Sequence, residues 1–153
     1  MNHKDSVLEQ KNQICRAMFI EESIQLPINS KNWIILSSAF SELTYFVLSP
    51  DVNPNKIPER KTLECIAILH GLMYQIGQDI SNGKTSIEIE YDMAEIYLDS
   101  ITTLRKWYYV TNGGPFQWTM DDTGEYRLKK FFRSLSKKCE KVRQQTNKKL
   151  SIN

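Results

Sequence analysis

Apolar residues in this chain recur mostly every three or four positions, the period of an amphipathic helix. Val7, Ile14 and Met18, with Leu8, Cys15 and Phe19 one row over, predict a first helix over about 4–25, stopped by Pro27. Trp33, Leu36, Phe40, Leu43 and Val47 line one face of KNWIILSSAFSELTYFVL. This predicts a second helix, with Ser30 or Asn32 as N-cap and Pro50 past its end. SPDVNPNKIPER holds three prolines and is a loop, because an interior proline removes a helical hydrogen bond and clashes with the preceding turn. A third helix is expected over about 58–82, with Pro58 as its first residue and Glu59 in its first turn. Its first half is apolar on most sides, which predicts a central, buried helix. Gly71 and Gly77 within it lower helix propensity and point to a close-packed neighbour. SNGK at 81–84 reads as a cap followed by a turn.

The next segment admits two periods. TSIEIEYD alternates strictly, as a strand does. Yet Ile87, Tyr91, Ala94, Leu98, Ile101 and Tyr108 share one helical face that runs on to Trp107 or beyond. Continuity over about twenty residues outweighs alternation over six, so the pattern predicts a fourth helix. A fifth, over about 125–147, carries a narrow stripe of Leu128, Phe131, Phe132, Leu135, Cys139 and Val142. Between the last two lies VTNGGPFQWTMDDTGEY. A glycine cap and Pro115 stop the fourth helix, and Thr119 or Asp122 restarts the fifth, with Glu125 in a capping-box relation to Asp122. Phe116 and Trp118 fold back onto the bundle end. A small hairpin over 116–128 competes, from the alternation on both sides of DDTG. The expected fold is all-α: a single domain over 1–153, a mainly antiparallel bundle of about five helices with the third at its centre.

Composition narrows the function more by exclusion than by assertion. Three widely spaced cysteines, Cys15, Cys65 and Cys139, form no CxxC pair and all fall at apolar positions. They read as buried free thiols of a cytoplasmic protein. No apolar run is long enough to span a bilayer, and the N-terminus lacks the apolar core of a signal peptide, so no membrane association is expected. Phosphate-loop, dinucleotide-binding and hydrolase-nucleophile motifs are absent. His3 lies near the terminus, and His70 reads as a core histidine bonded to a neighbour. No E-x-x-H pair occurs, so neither metal nor cofactor is expected, and the chain does not read as an enzyme.

Charge supplies the positive clue. Up to Gly124 there are ten basic and sixteen acidic residues; from Glu125 onward there are ten and two. A body of net −6 thus carries a terminal helix of net +8, within a total of +2. Glu88, Asp92, Glu95 and Asp99 recur at helical spacing as an acidic stripe, the candidate protein-binding set. Lys129, Lys130, Arg133, Lys137, Lys138 and Lys141 on the fifth helix are the candidate phosphate contacts for a nucleic acid. Salt bridges between the two helices would absorb part of this charge. In LRKWYYV, Arg105 and Lys106 stand beside three aromatics, a composition suited to stacking on single strands, but Trp107 and Tyr108 also complete a core face. The expectation is a non-enzymatic interaction protein of the adaptor, inhibitor or immunity kind, with another protein as partner. Nucleic-acid binding through the basic helix is the alternative. Homo-oligomerisation through its narrow apolar stripe is open.

Overall fold

A computed structural model describes residues 22–49, 57–118 and 123–151. In chain order these form strand β1 (Ser23–Pro27), helix α1 (Ser30–Leu48), helix α2 (Arg60–Ser81), strand β2 (Ser86–Glu90), helix α3 (Tyr91–Asn112) and helix α4 (Thr123–Ser151). The expected first helix lies largely outside the described residues. Its described end, together with the start of the expected fourth helix, is strand instead. SIQLP and SIEIE pair antiparallel, Ile24 opposite Ile89 and Leu26 opposite Ile87. Both strands alternate exposed and buried positions, so these four side chains enter the core while Gln25, Glu88 and Glu90 face outward. The ladder continues past the strands, with Ile28 N–H donating to Thr85 O and Tyr91 N–H to Glu22 O, each at 3.0 Å. Such a short sheet is marginal alone. Here it is closed by α4, α3 and α2, which pack on it.

The helices form a ring. α1 packs on α2 and α4, and α3 packs on the same two. The expectation of a central α2 is therefore corrected: among the described residues no helix is surrounded, and α2 keeps an outward face. Leu63 is 44% and Tyr74 68% exposed, and Ala67 and His70 lie open between them at helical spacing. His70 is not a core histidine: it is exposed, its ring set T-shaped to that of Phe40 with ring centres 4.9 Å apart. The inward side of α2, with Leu69, Leu72 and Ile76, meets Phe40 and Leu43 of α1, Leu104 of α3 and Leu128 and Leu135 of α4 in one cluster. All of these are essentially inaccessible, and each contributes about 1.5–3 kcal/mol relative to exposure.

Local chemistry sets the ends. Asn29, in extended geometry, caps α1 by accepting from Asn32 N–H at 2.9 Å, one residue before the expected Ser30. Gly83 (φ 80°) turns the chain after α2. Gly113 (φ 75°) ends α3 in the left-handed region, its N–H bonded to Tyr109 O. At Gly77 a methyl group would lie 2.8 Å from Trp33 of α1, so the expected close approach occurs there. At Gly71 nothing lies within 4 Å, so it does not occur there. The chain then restarts as α4 rather than forming the competing hairpin, for Thr123–Ser151 is continuous helix. Thr119 and Asp122 lie outside the described residues.

Candidate functional site

α4 is positioned by its narrow stripe. Leu128, Phe132, Leu135, Cys139 and Val142 step by four and three residues and are all buried, with Phe131 half-buried beside them. The stripe is thus consumed within the chain, which corrects the idea that it zips with a second copy. Burial of this line turns the opposite side outward. At 3.6 residues per turn, Lys130, Arg133, Lys137 and Lys141 fall within an arc of about 80° directly across the helix. All four are exposed. Eleven helical steps separate the first from the last, about 16 Å along a straight ridge.

The remaining basic candidates do not share that ridge. Lys129 lies to one side and pairs with Glu125 at 3.2 Å. Lys138 lies on the other side, where its ammonium donates to the carbonyl of Gln25 and ties α4 to β1. Arg143, also off the ridge, meets Glu95 at 3.3 Å. On the ridge, Lys130 stands over the ring of Tyr126, 5.7 Å from its centre. Arg133, Lys137 and Lys141 have no acidic partner among the described residues. Within α4, Glu140 is the one acid bordering the ridge.

The acidic candidates fare differently. Asp92, Glu95 and Asp99 lie on α3, but Glu88 lies on β2. Successive strand side chains alternate faces, so the four-residue step from Glu88 to Asp92 no longer marks a shared helical face. The stripe is therefore three residues on one element and one on another. Its middle member is engaged internally: Tyr91 O–H donates to Glu95 at 2.6 Å, and Arg143 pairs with the same carboxylate oxygen. Burial, followed by this hydrogen bond and the charge of Glu95, pushes the Tyr91 phenol well above the usual tyrosine range. Asp99 and Glu88 are exposed. The salt bridge between the two charged helices that the sequence suggests is thus present, among the described residues, at Arg143 and Glu95.

Other chemistry is sparse. Among the described residues no cluster of three metal-ligating side chains exists, and no helix is long and apolar enough to cross a membrane. Cys65 and Cys139 are free and buried, as expected; Cys15 lies outside the described residues. Burial, with Glu95 nearby, raises the Cys139 thiol to about 11, so it is not a nucleophile at neutral pH. Trp107 and Tyr108 pack on the core, and Phe116 stands edge-on to Tyr108 and Phe46. Trp118 follows at 4.5 Å from Phe116, so residues 115–118 close the bundle end as expected. Arg105 is half-buried there, and desolvation lowers its pKa against the pull of Glu125. It is therefore not presented for stacking with Lys106. The chain matches no known family model, no curated protein and no solved structure.

Proposed function

We propose that this chain is a non-enzymatic, cytoplasmic interaction protein that docks an acidic surface of another protein onto the outer ridge of α4. The observation that carries this reading is the ridge itself: Lys130, Arg133, Lys137 and Lys141 aligned opposite the buried stripe, three of them without an acidic partner among the described residues. Spaced cations on a rigid helix speed association and set register with a complementary surface. The acidic residues of α3 are the weaker candidate, because Glu95 already serves Tyr91 and Arg143.

The test is affinity purification from the native host with the wild-type chain and with Lys130→Glu/Arg133→Glu/Lys137→Glu, fold checked by circular dichroism. A specific protein held by the first and lost by the second supports the ridge. The same partner held by both excludes it. A single-stranded nucleic acid is the second reading, favoured by Tyr126, which is 56% exposed at the end of the ridge beneath Arg127 and Lys130. Titrating a labelled single strand against salt separates the two. Four phosphate contacts give a slope of log K on log salt of about −3. No binding at low salt leaves the protein partner alone.

A further inference from the structure

A second feature lies between the β1–α1 turn and the first half of α4. A cavity of about 200 Å³ opens there. Its apolar wall is built from Leu26, Ile28, Leu36 and Ile76, all buried, with the rings of Trp33 and Phe131. Trp33 is held in place: its indole N–H donates to Met73 O at 3.0 Å, and its ring lies against Gly77. The cavity therefore meets the ring as a fixed apolar surface whose donor is already used.

The polar side of the cavity is one-signed. Arg127 and Lys130, one turn apart on α4, line it together with Asn29, Asn32 and Ser134, and no described acidic residue does. Arg127 has no carboxylate partner among the described residues. A guanidinium without a counter-charge beside an apolar cavity gains charge-assisted hydrogen bonds when an anion enters. Size limits that anion. The space exceeds the roughly 150 Å³ that holds a benzene-sized ligand and falls short of the roughly 300 Å³ typical of drug-sized sites.

We propose that this cavity binds a small amphipathic carboxylate, a single ring or a short alkyl chain, with its apolar part against Trp33 and its head on Arg127. The proposal does not depend on the ridge, since only Lys130 belongs to both. The probe is octanoate, titrated into the full-length chain by calorimetry and followed at the Trp33 indole resonance, assigned with Trp33→Phe. Octan-1-ol serves as the uncharged comparison. The expected result is saturable octanoate binding that moves the Trp33 resonance, with octanol at least about tenfold weaker, the weight of one charge-assisted hydrogen bond. Arg127→Met then lowers octanoate affinity by a similar factor and leaves octanol unchanged, while Arg127→Lys retains part of the preference. Ser134→Trp fills the mouth and abolishes both, and Lys137→Glu, on the ridge, changes neither. Equal affinity for octanoate and octanol, a silent Trp33 resonance, or full binding by a folded Ser134→Trp variant each overturns the proposal. If Arg127→Met fails to fold, Arg127→Lys and Ser134→Trp decide it.

Discussion

Gly71 and Gly77 lie on the same helix, six residues apart, and the structure predicts opposite responses to the same substitution. Replacing an interior helical glycine by alanine favours the helix by about 1 kcal/mol. At Gly71 nothing lies within 4 Å, so Gly71→Ala keeps that gain. It should raise the melting temperature by about 2–4 °C, the shift that 1 kcal/mol produces in a domain of this size. At Gly77 the new methyl lies 2.8 Å from Cζ2 of Trp33, whereas ordinary contact begins at 3.4 Å, so the ring must retreat by about 0.6 Å. The indole is rigid and is tethered to Met73 O on the same helix, so retreat strains or breaks that bond. Overpacking costs about 1–3 kcal/mol and the hydrogen bond about 1 kcal/mol. Set against the propensity gain, Gly77→Ala should be destabilised by about 1–3 kcal/mol and melt about 2–12 °C lower. In a Trp33→Leu background the penalty should vanish and the helix gain should reappear. Thermal and urea denaturation of the single variants and of Gly77→Ala in that background measure all of this. A Gly77→Ala variant as stable as Gly71→Ala would refute the placement of Trp33 against α2.

Three further outcomes follow from named contacts. Asn29→Ala removes the cap of α1 and should cost about 1 kcal/mol, read as a lower urea midpoint with unchanged slope. The Cys139 thiol, raised from 9.0 to about 11 in the fold, ionises more readily in the unfolded chain, which then binds fewer protons. Stability should therefore be complete below about pH 9 and fall on the order of 2 kcal/mol as the pH rises toward 11, with a flatter profile for Cys139→Ala measured by urea melts. Glu95→Gln removes the charge beside Tyr91 and should lower the Tyr91 phenol pKa in a spectrophotometric titration, burial alone holding it above the ordinary value. An unchanged Tyr91 titration would show that the 2.6 Å hydrogen bond does not form.

The helical period announced α1, α2, most of α3 and α4, because each buries one long face and repetition over many turns is a strong signal. The stops at Gly83 and Gly113 were equally readable, since a left-handed cap favours glycine whatever surrounds it. The charge of α4 and the positions of its cations were also in the sequence. The pairing of Ser23–Pro27 with Ser86–Glu90 was not. A five-residue alternation carries little weight against a neighbouring helical period, and the partner strand lies far along the chain. With that pairing went the single acidic stripe, because Glu88 belongs to a strand.

Which surfaces remain free is likewise a tertiary result. The sequence by itself determined that four long segments are amphipathic helices and that the last is basic on every side but one. Only the packing decided that these helices form a ring rather than a shell around α2, since a helix with apolar residues on most sides can still leave Leu63 and Tyr74 in water when its described neighbours, α1, α3 and β2, leave one side open. Packing also decided that Arg143 pairs with Glu95 and Lys138 with Gln25, and brought Trp33, Arg127 and the end of β1 around one cavity. Periodicity constrains each element's own faces, but the identity of the element opposite is set by long-range contacts, and no local pattern encodes it.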